Sequence, residues 1–189
     1  MSLTKHQKQY AKKRMLNLFN VTNHNERIKG INWYKDAHEW CKVTAQNYNL
    51  SVDTVAKVLS ILSPANRWNR NKIETHGLIE AWTNGFNIDE LTFCTYPSNV
   101  IKAVEVLAGI KDLEPKSLKT YAFYKNIMLD ENFITVDRWH LRILFYKPLK
   151  SLTNARYKDI QDITIKLANS LGLKGYEFQS IIWEKARTQ

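Results

Sequence analysis

Two residues eighteen positions apart, Lys119 and Asp137, are the ones whose types and spacing could do chemistry. Lys119 lies in the first turn of a predicted helix, and Asp137 follows the extended hydrophobic run 133–136 (FITV) and opens another helix. A turn between the two segments would bring the amine and the carboxylate together. A fixed carboxylate can stabilise positive charge that develops in a transition state, and a neighbouring lysine can act as an amine nucleophile.

Both residues also have simpler interpretations. Aspartate is a preferred N-cap residue, and a hydrophobic run precedes Asp137 while a helix-forming run follows it, so its role could be that of a cap alone. Lys119 could be a surface lysine that contacts phosphate. The residue types leave both alternatives open.

The segment 62–71 (LSPANRWNRN) is the second unusual stretch, because it groups amide and guanidinium side chains around the single indole of Trp68. It is predicted to join a buried helix to another helix. Such side chains can donate hydrogen bonds to phosphates, and an indole can stack on a base or fill the space left by an extruded one. The alternative is a polar loop that Trp68 anchors in the core.

The elements that must position these residues are predicted to be helices, because apolar residues recur at helical spacing along most of the chain. One helix is predicted over 5–18, and a second of about fifteen residues is predicted to follow Gly30. Alternation of period two does not persist, so the sequence predicts an all-α fold. The boundaries are marked by a Thr4–Gln7 capping box and by Gly30, Ser51, Ser63-Pro64, Gly85, Gly109 and Gly172.

Composition points to a polyanionic partner. The 189 residues are 44% hydrophobic and carry a formal net charge of +10, with a pI of about 9.5. Clustered Lys and Arg gain affinity for nucleic acid by releasing phosphate counterions. The alternative is that the positive charge only keeps the protein soluble. No apolar run long enough to span a membrane and no signal peptide is seen, so we expect a soluble, cytoplasmic protein without membrane contact.

The sequence predicts neither a metal site nor a cofactor. Cys41 and Cys94 lie far apart within apolar patterns and are predicted to be buried thiols, which excludes four-cysteine zinc or iron-sulfur frameworks. The five histidines form no motif, and no Gly-rich phosphate loop is present.

Several segments resemble the helix-hairpin-helix DNA glycosylases of the endonuclease III type. In that superfamily a hairpin leads into Lys-Thr at the start of a helix, and an extended segment leads to Val-Asp at the start of the next, with an arginine following. The matching segments here are 113–120 (LEPKSLKT), 134–137 (ITVD) and Arg142. Weaker likeness at 58–63 (VLSILS) and 178–183 (FQSIIW) extends the resemblance over about 52–187.

A closer likeness is to uncharacterised bacteriophage proteins that share four short elements. These elements are WY, SPxxxWxxN, KxxxFYxNI and VDR, found here at 33–34, 63–71, 119–127 and 136–138.

The superfamily resemblance implies a two-lobed helical fold that binds DNA, with 1–50 and 150–189 in one lobe, 51–149 in the other and a hairpin-like element at 109–120. It implies that Asp137 stabilises an oxocarbenium-like sugar and orients the nucleophile, that Lys119 could be that amine nucleophile, and that the base is flipped out of the duplex. The implied nucleic-acid contacts are Ser63, Asn66, Arg67, Trp68, Asn69, Asn71, Lys116, Ser117, Thr120, Arg138, Trp139, His140 and Arg142.

The chain departs from the superfamily pattern in its hairpin and after the aspartate. Pro115, Lys116 and Ser117 stand where the family uses glycines, so the lysine and the hydroxyl would have to reach phosphate through side chains. Trp139 replaces the histidine that usually follows the aspartate by two, and His140 comes one place later.

Three functions are consistent with these observations. The first is a DNA glycosylase that cleaves the N-glycosidic bond of a damaged or modified base, with or without strand cleavage by Lys119, on double-stranded DNA held through sequence-independent backbone contacts. The second is a non-enzymatic module on the same fold that either binds DNA or interacts with a host protein, for example to counter bacterial defence. The third is an enzyme that modifies DNA bases in the same pocket.

Overall fold

A computed structural model describes residues 2–145, 149 and 151–187, and all regular structure among them is helical, which confirms the all-α prediction for this part of the chain. No helix in these ranges is long and apolar enough to cross a membrane. One short 3-10 turn covers Ile88–Glu90. The helices are α1 Lys5–Asn20, α2 His24–Tyr48, α3 Val52–Leu62, α4 Trp68–Asn84, α5 Pro97–Leu107, α6 Leu118–Ile127, α7 Arg138–Leu144, α8 Asn154–Ser170 and α9 Gly175–Arg187.

The chain divides into two compact units. Unit 1 comprises residues 1–37 and 125–189, and α1, α7, α8 and α9 pack against one another within it. Unit 2 comprises residues 38–124, in which α3 packs on both α4 and α5. The longest helix, α2, begins in unit 1 and ends in unit 2.

Helix α1 begins as the sequence predicts. The Thr4 side chain accepts from the Gln7 backbone N–H at 3.2 Å, and the Gln7 side chain accepts from the Thr4 N–H at 2.9 Å, which completes the capping box. Asp159 of α8 fixes this end of α1, because its carboxylate accepts from Lys8 Nζ at 2.5 Å and from the Leu3 N–H at 2.7 Å. A local sequence signal and one ion pair therefore dock α1 on α8.

The start of α2 differs from the prediction. Gly30 lies inside the helix, not before it, because the position needs close packing and not a turn. A Cβ atom at Gly30 would lie 2.5 Å from both the Cα and the backbone N of Ile181 on α9. Glycine is therefore the residue that allows α2 to approach the α9 backbone this closely.

The end of α3 follows from Pro64. Proline has no N–H to continue the helical pattern, and the Ser63 N–H bonds the Ser60 carbonyl at 3.4 Å. The Leu59 carbonyl is left for the side chain of Asn71, whose Nδ2 donates to it at 2.9 Å. Asn71 therefore joins the start of α4 to the end of α3 and is almost completely buried.

A buried carboxylate holds the loop that precedes α4. Glu74 accepts hydrogen bonds from Asn66 Nδ2 at 2.7 Å, from Arg70 Nε at 2.8 Å and from the Cys94 backbone N–H at 3.0 Å. The Cys94 side chain is exposed while that of Cys41 is buried, so the prediction of two buried thiols is correct for Cys41 and wrong for Cys94. The reason is local, because Cys94 lies in a loop tied down through its backbone.

Candidate nucleic-acid interface

Asp137 is the N-cap of α7. Its Oδ1 accepts from the His140 backbone N–H at 2.7 Å, and its own backbone is extended, as expected for a cap. The capping interpretation of Asp137 is therefore confirmed. A cap holds one carboxylate oxygen in place, so the same contact also fixes the position of the carboxylate for any chemistry it performs.

Side chains from other helices of unit 1 hold the extended segment that delivers Asp137. Gln179 of α9 accepts from the Thr135 N–H at 3.2 Å and donates to the Thr135 carbonyl at 2.8 Å. The Tyr157 hydroxyl of α8 accepts from the Val136 N–H at 3.1 Å and donates to the Ile134 carbonyl at 2.9 Å. Two side chains thus supply the backbone hydrogen bonds that a neighbouring strand would supply in a sheet.

Three further contacts complete this arrangement. Asn126 donates to the Phe133 carbonyl at 2.7 Å and accepts from the Thr135 hydroxyl at 2.9 Å, and the Tyr34 hydroxyl donates to Thr135 Oγ1 at 3.3 Å. Burial raises the pKa of Tyr34 and that of Tyr157, so both hydroxyls keep their protons and can donate. The segment that leads to Asp137 is fixed on several sides.

A small cleft opens beside Asp137. Its free volume is about 20 Å³, which is room for about one water molecule and far too little for a nucleobase. Trp183 supplies an indole N–H that is buried and has no hydrogen-bond partner among the described residues. The residues that line the cleft are Asp137, Trp139, Ile143, Trp183, Ala186 and Arg187.

The outer surface of α7 presents an aromatic ring between arginines. Trp139 is 53% exposed, although α7 has only seven residues and packs on α1 and α9 with its other face. The Arg142 guanidinium carbon lies 5.1 Å from the centre of the Trp139 ring, and Arg138 is exposed beside it. Arg14 of α1 donates to the Ile143 carbonyl at 2.8 Å and so fixes α7 on α1.

The net charge lies in one unit. Unit 1 contains 19 Lys and Arg against 9 Asp and Glu, a balance of +10, whereas unit 2 contains 9 of each and is neutral. The whole positive balance of the protein therefore belongs to the unit that contains Asp137, Trp139 and Arg142.

Within unit 2 the structure brings two of the predicted segments together. The ring of Trp68, at the start of α4, lies 6.4 Å from that of Phe123 on α6, and Lys72 Nζ lies 5.6 Å from the Trp68 ring centre. Phe123 is one helical turn after Lys119, so the start of α4 and the middle of α6 are neighbours. Trp68 is half-buried, which matches its predicted alternative role as an anchor in the core.

The other residues predicted in unit 2 divide by exposure. Ser63 is half-buried and its hydroxyl donates to the Ser60 carbonyl at 2.9 Å, while Lys116 forms an ion pair with Glu114. Thr120 is half-buried. The exposed ones are Arg67, Asn69, Lys116, Ser117 and Lys119.

Two predicted nucleic-acid contacts are corrected by the structure. Asn71 and His140 have almost no exposed surface, so neither side chain can reach a ligand at the protein surface. Asn71 holds the end of α3 instead, and His140 packs within unit 1 with its Nε2 3.4 Å from Thr164 Oγ1. Asn66 is half-buried, and its amide likewise donates within the protein, to Glu74.

The two candidate catalytic residues belong to different units, Asp137 to unit 1 and Lys119 to unit 2. An amine nucleophile needs desolvation or cationic neighbours that favour its neutral form. The Lys119 side chain is exposed, which favours its alternative role as a phosphate contact.

Because the imidazole of His140 is buried, we expect the stability of the folded protein to depend on pH. Burial lowers the pKa of His140 to about 3, whereas the unfolded chain titrates near its ordinary value of roughly 6.5. Below about pH 6.5 the unfolded state therefore binds a proton that the folded state does not. This contribution to stability is complete above that pH, and as the pH falls the free energy of unfolding declines at the rate set by the uptake of one proton.

A His140→Gln variant should lack this one-proton component. Urea unfolding of the parent and the variant at neutral and mildly acidic pH measures it, because the other titrating groups are common to both proteins. Equal pH dependence in the two proteins would show that His140 is accessible to protons in the folded state.

The sequence did not predict which residues hold the extended segment before Asp137. Gln179 and Tyr157 are nearly completely buried. One signal for Gln179 was visible in the sequence, because it is a polar residue inside the apolar run FQSIIW. Arg187, which lines the cleft beside Asp137, gave no signal, because a basic residue in the last turn of a helix is common.

A family model described as a family of unknown function (DUF7178) matches residues 1–189. No curated protein and no solved structure matches the chain.

Proposed function

We propose that this chain, which belongs to the family of unknown function DUF7178, binds DNA through unit 1. The observation that carries the proposal is the charge division, +10 in unit 1 and zero in unit 2. A polyanion gains affinity from each phosphate contact through the release of counterions, so it binds the unit with the excess of cations.

The surface chemistry of unit 1 supports this proposal. Lys5, Lys12 and Lys13 are exposed on α1, and Arg138 and Arg142 are exposed on α7, which packs on α1. Lysine and arginine on adjacent helices can contact successive phosphates without reading bases. We therefore expect binding that depends on salt and little on sequence.

Neutralising lysines on α1 should weaken DNA binding strongly. In the triple variant Lys5→Gln, Lys12→Gln, Lys13→Gln, the slope of log K against log salt should become shallower by about two to three for duplex DNA, since each lost phosphate contact contributes about 0.9. Fluorescence anisotropy with a labelled duplex over a series of salt concentrations measures the slope and the affinity.

The matched control removes the same charge from unit 2. Lys42, Lys102 and Lys111 are also exposed, and replacing them by glutamine lowers the net charge by the same amount. The affinity of this variant should stay close to that of the parent. Equal losses in the two triple variants would contradict the proposal, because the charge of unit 1 would then have no special role.

A second candidate is hydrolysis of an N-glycosidic bond. The observation that favours it is the carboxylate of Asp137, which lies at a cleft with room for about one water molecule. A carboxylate in that position could orient a water and stabilise an oxocarbenium-like sugar.

Replacing Asp137 by asparagine tests this reaction cleanly. Asparagine is as good an N-cap as aspartate, so the start of α7 should survive while the negative charge is lost. The Asp137→Asn variant should lose base release from the DNA substrate by at least about a hundredfold, the effect expected of one electrostatic contact in a transition state. Mass spectrometry of bases released from genomic DNA measures it, and a variant as active as the parent would exclude the mechanism.

A further inference from the structure

We infer that the exposed face of α7 binds unpaired bases, so that this surface prefers single-stranded DNA to a duplex. The inference rests on the proposed binding of DNA by unit 1 and adds the class of DNA that the site selects. Two side chains carry it, the exposed indole of Trp139 and the guanidinium of Arg142 beside it.

The geometry is that of a stacking platform. Trp139 is 53% exposed on a helix whose buried face is formed by other residues, so its ring is not needed to fill the core. Arg142, one turn later, places its guanidinium carbon 5.1 Å from the ring centre. An indole and a guanidinium held together can stack on a base and contact its phosphate at the same time.

Hydrogen bonds hold both ends of the helix that carries Trp139. Asp137 caps the helix that carries Trp139, the segment before it is bonded to Gln179 and Tyr157, and Arg14 bonds the Ile143 carbonyl at the other end of α7. An aromatic side chain on a helix that is already held in place has only two side-chain torsions to lose on binding, which favours affinity. Phosphate contacts alone need no such support, because long lysine side chains adapt.

Stacking distinguishes unpaired from paired bases. In a duplex the faces of each base are covered by its neighbours, whereas in a single strand they can be offered to an aromatic ring. The lysines and arginines of unit 1 attract both forms of DNA through their phosphates. The preference for a single strand therefore has to come from Trp139 and not from charge.

The experiment compares a labelled oligodeoxythymidine with a duplex of the same length by fluorescence anisotropy over a series of salt concentrations. The parent should bind the single strand more tightly. Trp139→Ala should weaken single-strand binding by on the order of ten- to a hundredfold and duplex binding much less. The slope with salt should stay unchanged, since a stacking contact releases no counterion.

Two further variants keep the result interpretable. Trp139→Phe retains an aromatic ring and should keep most of the single-strand preference, whereas retained duplex binding by Trp139→Ala shows that the alanine variant is folded. Phe86→Ala removes an aromatic side chain that is 62% exposed in the neutral unit and should leave both affinities unchanged.

The outcomes separate this inference from the proposal on which it rests. Equal loss of single-strand and duplex binding in Trp139→Ala, or tighter binding of the duplex by the parent, overturns the single-strand preference and leaves DNA binding by unit 1 intact. Absence of salt-dependent binding to both probes overturns both.

Discussion

Replacing Gly30 by alanine is expected to destabilise the protein by about 3 kcal/mol. The new Cβ would lie 2.5 Å from two backbone atoms of Ile181 and 2.6 Å from its Cγ1. Backbone atoms cannot turn aside as a flexible side chain can, so α2 and α9 would have to separate and the packing around Tyr34 and Phe178 would loosen.

Gly77 is the matched control, because it also lies inside a helix, α4, and nothing is within 4 Å of a Cβ added there. Gly77→Ala should stabilise the protein by roughly 0.5–1 kcal/mol through helix propensity alone. Urea unfolding followed by circular dichroism measures both variants. A Gly30→Ala variant as stable as the parent would show that α2 and α9 do not pack this closely.

Gln179→Leu should be similarly damaging, at a cost of about 2–4 kcal/mol in the free energy of unfolding. Gln179 is completely buried and bonds both the N–H and the carbonyl of Thr135. Leucine has a similar volume and no polar atoms, so the buried Thr135 N–H would lose its partner at about 1–3 kcal/mol. The Thr135 carbonyl would lose one of two hydrogen bonds, at about 0.5–1.5 kcal/mol, and keep the one from the Asp137 N–H at 3.0 Å.

Gln161→Leu provides the comparison for Gln179, since Gln161 is half-buried and, among the described residues, bonds a single group, the Ile134 N–H at 3.2 Å. Water can replace that bond, so we expect a loss of about 1 kcal/mol or less. The same unfolding assay measures both variants. Equal losses for the two substitutions would contradict the view that α9 fixes the segment before Asp137.

The parts of the fold that the sequence predicts well are those with local causes. Thr4 and Gln7 set the start of α1, Ser51 caps α3, and Ser63-Pro64 ends it, because each effect involves residues within one helical turn. Asp137 belongs to the same class, since its role as a cap depends only on the residues that follow.

The parts that the sequence did not predict depend on contacts between distant segments. Glycine usually ends a helix pattern, but Gly30 is tolerated inside α2 because Ile181 lies against it. The partners of the extended segment, Gln179 and Tyr157, come from later helices that no local pattern connects with Thr135.

The candidate site shows the same division. The spacing of Lys119 and Asp137 along the chain could not show that they belong to different units, because that depends on which segments pack together. The net charge of +10 was visible in the sequence, but its confinement to unit 1 requires the division of the chain that the structure provides. Only that division shows which part of the protein carries the net charge.

Lysine footprinting of the parent protein, which carries no substitution, tests DNA binding by unit 1 most directly. Lysines are acetylated with and without DNA, and mass spectrometry reports the protection of each one, so no variant has to fold. We predict protection of Lys5, Lys12 and Lys13 and unchanged reactivity of Lys42, Lys102 and Lys111, all six of which are exposed in the absence of DNA. Protection confined to the lysines of unit 2, or of none, would contradict the proposed function.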